Sequence, residues 1–322
     1  KTTTSLGLVS GIKKRLGSCG FIKPVGQQHI EVAPGVRVDK DVNLFRRRFD
    51  INAAYEDMSP VLIPKGYTKR FLDGEVRADD QFRRIKSSFE RISAAHAFTV
   101  CEGTGHAGVG AIVQASNADV ASALDLDTII VATGGLGSAF DELELNYHLF
   151  KKAGVRVRGV VLNRVLPEKR DTVCEYFSKA LARWDIPLIG AVPYERFLGF
   201  PTMLDFENLF KTKLLTGEEH RLRHLGAIDL VSTDLSVFIQ KLNSDEMDGV
   251  CFLVHASRTD IVLGLLAYAK AYEHDTGRPF VTGVILCGSE PLGSTLRRFI
   301  ESSRVPILHA QLKTSAVISA LE

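Results

Sequence analysis

Between Asp79 and Val192, short apolar runs alternate with stretches whose apolar residues recur three to four apart, an order that few folds accommodate. Phe82, Ile85, Phe89 and Ile92 repeat at helical spacing behind Asp79 and Asp80, and the strand-like run Phe98 to Cys101 follows at once. A helix within residues 111 to 124, a strand over Thr128 to Ala132, and a helix that Ser138 is positioned to cap come next. That helix closes on Lys151, Lys152 and Gly154, a well-formed stop. A strand over Val157 to Leu162, a helix from about Pro167 to Trp184 and a strand over Leu188 to Val192 complete the series. Alternation of this kind predicts an α/β fold with a doubly wound, mostly parallel sheet.

Residues 2 to 16 place Leu6, Val9, Ile12 and Leu16 on one helical stripe, with Lys13, Lys14 and Arg15 toward the negative end of the helix dipole. Cys19 to Ile22 then reads as a strand ending at Lys23-Pro24. Residues 25 to 78 read as irregular, charged and rich in proline, too long for an idle connection. At 322 residues the chain favours two domains. Residues 201 to 217 show no periodicity and are taken as the boundary, giving a first domain at 1–210 and a second at 211–322. Strand-like runs at Ala227 to Val231, Val250 to Val254, Thr282 to Leu286 and Pro306 to Leu308 make the second a smaller α/β unit.

Charge narrows the partners. Lys and Arg total 40 against 38 Asp and Glu, a net charge of +2, which is too small a field for nucleic-acid or membrane-surface binding. No apolar run reaches the length of a membrane-spanning helix. Cys19, Cys101, Cys174, Cys251 and Cys287 are odd in number and lack a C-x-x-C pair, as expected of free thiols in a reducing, cytoplasmic setting. Small molecules or protein are the expected partners.

The chain opens Lys1-Thr2-Thr3-Thr4 and runs directly into a helix, matching the last residues of G-x-x-x-x-G-K-[ST]. In that motif the lysine reaches the β/γ-phosphates, the next hydroxyl binds Mg²⁺, and the helix amides face anionic oxygens. Three strand ends carry polar groups, at Lys23, at Glu102-Gly103-Thr104-Gly105 and at Asn163, and parallel sheets bind ligands at that edge. Glu102 suits a Mg²⁺-holding carboxylate, directly or through water, or is a solvated loop glutamate. Asp39 and Asp41 either add a carboxylate to the metal or belong to a solvated stretch. His106 is a general acid or base, or a hydrogen-bonded loop histidine. Arg46, Arg47 and Arg48 hold an acidic ligand, or line a solvated helix face.

Lys1-Thr2, Gly20 to Val25, Asp41, Glu102 to Gly105, Asn117-Ala118-Asp119, Gly159 to Asn163 and Gly190 to Pro193 together resemble the dethiobiotin synthetase family. The likeness is closer still to the P-loop domain of that type found at the N-terminus of long bacterial phosphate acetyltransferases. The resemblance implies ATP and Mg²⁺ as cofactors, with Lys1, Thr2 and Thr3 at the phosphates and Thr2, Asp41 and Glu102 at the metal. It further implies Lys23 facing a carboxylate, carbamate or amine metabolite, Asn163 reading the adenine edge and the loop after Pro193 closing over the base. Lys1, Lys23 and Glu102 would then be the catalytic set, and a homodimer would form the acceptor site. Gly26-Gln27-Gln28-His29 depart from the synthetase pattern after Lys-Pro, so nucleotide binding carries over and the diamine substrate does not. A first strand and the phosphate-cradling glycines are expected upstream of Lys1.

Phe252 to Ile261 and Gly283 to Gly288 resemble the DRTGG domain, the naming motif surviving in outline as Ser257-Arg258-Thr259-Asp260. Such domains imply regulation. Ser257 to Asp260 either hold an anion at a helix N-terminus or include a simple Ser257 cap. The expected function is an ATP·Mg²⁺-binding regulatory module related to phosphate acetyltransferase, and the alternative is an ATP-dependent ligase that activates a carboxylate or carbamate.

Overall fold

The computed structural model describes residues 1–244 and 247–321, and the chain divides into two compact units, Lys1–Tyr194 and Glu195–Glu322. In the first, helix α1 (Thr2–Leu16) leads to strand β1 (Gly20–Ile22), which is followed by β2 (Val25–Gly26) and a hairpin of β3 (His29–Ala33) and β4 (Val36–Asp39). Helices α2 (Lys40–Phe49) and α3 (Tyr55–Met58), strand β5 (Val61–Leu62) and helix α4 (Tyr67–Leu72) complete the stretch read from sequence as irregular. Its elements escaped notice because they are short, and because Arg46, Arg47 and Arg48 mask the apolar face that α2 buries through Val42 and Phe45.

Helix α5 (Ala78–Ala95), strand β6 (Thr99–Cys101), α6 (Asn117–Ala123), β7 (Asp127–Thr133), α7 (Ser138–Lys152), β8 (Arg156–Val165), α8 (Arg170–Leu181) and β9 (Leu188–Pro193) follow the expected alternation. Strands β1 and β6 pair in parallel, and β7, β8 and β9 form a parallel three-stranded sheet. Gly137 takes the N-cap of α7, and Ser138, expected to cap it, is instead its first residue and makes no capping hydrogen bond. One core gathers Val9, Phe21, Ile22, Val38, Val42 and Phe45, and the Phe21 and Phe45 rings stack with centroids 3.7 Å apart. That stack clamps α2 onto β1, a contact on which the site below depends.

The second unit opens with α9 (Met203–Phe210) and β10 (Leu214–Thr216), so regular elements occupy the stretch that lacked visible periodicity. The signal was present but short: Thr202 and Asp205 form a capping box at the start of α9. Strand β11 (Ala227–Leu230), α10 (Leu235–Leu242), β12 (Val250–His255), α11 (Thr259–Thr276), β13 (Thr282–Cys287), α12 (Ser294–Glu301), β14 (Ile307–His309) and α13 (Thr314–Leu321) follow. The five-stranded sheet has the order β10-β14-β13-β12-β11, all parallel except β10. Alternation sorts its side chains: Val250, Phe252 and Val254 join a core with α10 and α11, while Cys251 and Leu253 join one with α9 and α13. Among the described residues no helix is long and apolar enough to cross a membrane.

Candidate functional site

The β1–β6 pairing sets Ile22 opposite Cys101, so the next residue on each strand, Lys23 and Glu102, emerges at the same carboxyl edge. Backbone hydrogen bonds fix both: Lys23 N–H donates to Met58 O at 2.9 Å, and Glu102 N–H donates to Ile22 O at 2.9 Å. Asp39 ends β4 and caps α2, its Oδ1 accepting from the Asp41 amide at 3.0 Å. This cap places Asp41 in the first turn of α2, where the helix dipole favours a carboxylate. The Phe21–Phe45 stack then holds that turn against the end of β1.

These groups converge on one ammonium. Lys23 Nζ hydrogen-bonds Asp41 Oδ2 and lies 3.2 Å from Asp39 Oδ1 and 3.5 Å from Glu102 Oε1. All four side chains are buried, Lys23 being only 6% exposed. Burial opposes the Lys23 charge, but the hydrogen bond to Asp41 and the fields of Asp39 and Glu102 outweigh it and raise the pKa above the ordinary lysine value. Thr2 Oγ1 donates toward the same oxygens, 3.4 Å from Asp41 Oδ2 and 3.3 Å from Glu102 Oε1. The second Glu102 oxygen, Oε2, is buried and has no hydrogen-bond partner among the described residues.

Lys1 approaches from the start of α1. Its residue is exposed overall, yet its ammonium end turns inward, donating to Gly103 O at 3.0 Å and also to Gly105 O. Burial lowers its pKa, against the raising fields of Glu102 and Asp41.

Asn117 shapes the loop that receives Lys1. Its side chain accepts from the Thr104 amide at 3.1 Å and donates to Thr104 O at 2.7 Å and His106 O at 2.6 Å. Thr104 Oγ1 in turn donates to Val25 O at 2.5 Å. Gly26 lets β2 pass against the acidic cluster, because a Cβ there would sit 2.8 Å from both Cβ and Oδ2 of Asp39.

The remaining sequence candidates lie apart from these contacts. The Thr3 side chain is exposed, and Thr4 Oγ1 is the buried hydroxyl of the run, without a partner among the described residues. Asn163 ends in β8 half-buried, its carbonyl accepting from Gly134 N–H at 2.6 Å; Pro193 is exposed at the end of β9. Among the described residues neither shares a hydrogen bond or ion pair with the Lys23 cluster. His106 Nδ1 accepts from the Gly108 amide at 3.2 Å, and Arg46 lies 4.0 Å over the Tyr55 ring, so both have local structural partners. In the second unit Ser257 does not cap α11: it bonds His255 Nδ1 at 2.7 Å, and Arg258 stands at the cap and pairs with Asp260 at 2.9 Å. A cavity of about 440 Å³ in that unit is lined by His255, Ser257, Gly288, Glu290 and Phe299, and by none of the Lys23 cluster.

The Thr2, Asp41 and Glu102 oxygens are hard donors of the kind Mg²⁺ selects, and the partnerless Glu102 Oε2 leaves acceptor capacity for a cation. Among the described residues no group of three or more His, Cys, Asp or Glu has metal-holding geometry. The donor set therefore fits a largely hydrated Mg²⁺ shared with phosphate oxygens, and does not fit a closed all-protein cage.

The model of the AAA domain family matches residues 1–202, and that of the DRTGG domain matches residues 207–322. Phosphate acetyltransferase of Nitratidesulfovibrio vulgaris is 25% identical over 340 residues, covering 100% of this chain and 45% of that protein. The phosphate acetyltransferase of Nitrosomonas europaea is 27% identical over 301 residues, covering 90% of this chain and 40% of its own. ATP-dependent dethiobiotin synthetase of Anaeromyxobacter dehalogenans is 34% identical over 90 residues, 28% of this chain and 40% of the synthetase. The chain thus spans less than half the length of the curated acetyltransferases it matches. It belongs to the AAA domain family as a P-loop, dethiobiotin synthetase-like domain, followed by a DRTGG domain, and is related to the N-terminal region of phosphate acetyltransferases.

Proposed function

We propose that the first unit binds ATP with Mg²⁺ and serves a regulatory role for phosphate acetyltransferase chemistry, the second unit relaying its nucleotide state. The observation that carries this reading is the convergence of Lys1, Thr2, Lys23, Asp41 and Glu102 on one edge of a parallel strand pair. Lys1 and the first-turn amides of α1, at Thr2 and Thr3, suit phosphate oxygens. Thr2, Asp41 and Glu102 would hold the metal, which when bound supplies charge neutralisation across the phosphates. Asn163 and the segment after Pro193 are proposed for the base, in keeping with their positions at the ends of β8 and β9.

Regulation is favoured over ligation because Lys23, the residue that would face an acceptor, is committed to three carboxylates. Isothermal titration of the full chain with ATP, with and without Mg²⁺, tests the binding. ATP binding that requires Mg²⁺ and is lost in Glu102→Gln is the expected result; no binding by the wild-type chain would sink the reading. Phosphate release that is stimulated by a carboxylate or amine metabolite and abolished by Lys23→Ala would establish the ligase instead.

A further inference from the structure

The oxygens assigned to the metal in the proposed function already hold a cation, the Lys23 ammonium. It hydrogen-bonds Asp41 Oδ2, lies 3.5 Å from Glu102 Oε1, and is joined there by Thr2 Oγ1 at 3.3 to 3.4 Å. An ammonium and a divalent cation compete for the same hard, anionic oxygens, and a buried site cannot seat both without strong repulsion. Asp39 differs from the other two carboxylates. It also faces Lys23, at 3.2 Å, but its Oδ1 is held by the Asp41 amide at the cap of α2, which fixes it in place beside Gly26. The ammonium therefore has a fixed carboxylate onto which to retreat, and Glu102 has a buried oxygen, Oε2, unpaired among the described residues, to offer an incoming ion.

We propose that Lys23 is an internal counter-ion that competes with the divalent cation for Asp41 and Glu102 and withdraws onto Asp39 when the metal enters. Lys23 thereby sets metal affinity as a positioning residue, and does so before any acceptor is present. The inference rests on the metal reading above, and the test separates the two.

Mn²⁺ binding to the full chain, without nucleotide, is measured by electron paramagnetic resonance for wild type, Lys23→Met, Asp39→Asn and the double variant. Lys23→Met is expected to tighten Mn²⁺ by roughly 10-fold or more, within the usual span of coupled sites. Asp39→Asn is expected to weaken Mn²⁺ about 3-fold or more with Lys23 present, because the retreat is lost, and to matter far less in the Lys23→Met background. Unchanged or weaker binding in Lys23→Met, or an equal Asp39→Asn loss in both backgrounds, overturns the competition while leaving the metal site standing. Absence of Mn²⁺ binding in all four proteins overturns the metal site itself and the competition with it. Should Lys23→Met fail to fold, amine acylation of the wild-type chain, read by mass spectrometry, replaces it. Lys23 labelling should accelerate on adding Mn²⁺, and a rate that is unchanged or slower refutes the proposal.

Discussion

Replacing Lys23 by methionine isolates what its charge does for the fold, because methionine retains an unbranched stem of similar length. Asp39, Asp41 and Glu102 would remain buried, at 1%, 8% and 5% exposure, with no ammonium between them. Breaking a buried ion pair by removing one partner costs about 3–5 kcal/mol, most of it from the charge left uncompensated. Burial of the new thioether recovers about 1 kcal/mol. A net loss of about 3 kcal/mol follows, and in a unit of this size that corresponds to a fall of roughly 6–12 °C in melting temperature. The loss must depend on pH. Unpaired buried carboxylates acquire raised pKa values, so the folded variant binds a proton that the unfolded chain releases at the same pH. Its stability therefore falls as pH rises, and the deficit relative to wild type is smaller at pH 5 than at pH 8. Calorimetry at both values measures this. A shift below about 1 °C, or the same shift at both pH values, would refute the view that Lys23 is the main compensating charge of the cluster.

Asn117→Ala removes the three hydrogen bonds that brace Thr104 and His106 and should destabilise the first unit by roughly 1–3 kcal/mol in urea denaturation, with a faster amide exchange at Thr104. Phe45→Ala empties one side of the Phe21 stack and should cost about 3–5 kcal/mol; a cost under about 1 kcal/mol would mean that α2 is not clamped through this contact. Asp57 is held below the ordinary carboxylate range first by its hydrogen bond to Arg91, which ties α3 to α5. Its contribution is present above the unfolded carboxylate pKa and is lost as pH falls through the lower folded value, so wild type and Asp57→Asn should differ at pH 7 and converge in acid.

The parts of the fold legible from the sequence were those in which one element carries its own pattern. Strands β7 and β8 carry the apolar runs Ile129 to Ala132 and Gly159 to Leu162, and α7 ends on Lys151, Lys152 and a left-handed Gly154, so each announces itself without reference to its neighbours. Residues 25 to 78 were opaque for the opposite reason. Strands β2 and β5 are two residues long and exist because they pair with each other, Val25 opposite Val61, and no local period can show a pairing across that distance. Likewise Lys23, Asp41 and Glu102 were each readable as strand-end or loop residues, but the web among them was not. It needs the β1–β6 register, the Asp39 cap and the Phe21–Phe45 stack together. Asp39 shows the consequence: as one of two acidic residues in a charged stretch it had no distinct role, and only its cap geometry separates it from Asp41.

That separation bears on the order in which ligands would arrive. With the Lys23 ammonium against Asp39, Asp41 and Glu102, and the Lys1 ammonium in the field of Asp41 and Glu102, two positive charges already offset most of three negative ones before any ligand binds. A divalent cation added alone would place excess positive charge in a buried site, a cost that grows as the local dielectric falls. A nucleoside triphosphate added alone would bring its negative charge against the same carboxylates. Each penalty is the other's remedy, so the lowest-energy route is entry of the preformed metal–nucleotide complex. Lys1 would then leave the Gly103 and Gly105 carbonyls for phosphate oxygens, and Lys23 would leave Asp41 for Asp39. The physical switch in such a module would be the rearrangement of two internal lysine pairings, Lys1 onto phosphate and Lys23 onto Asp39. Its output would be read where those pairings anchor, at the 103–106 loop and the first turn of α2.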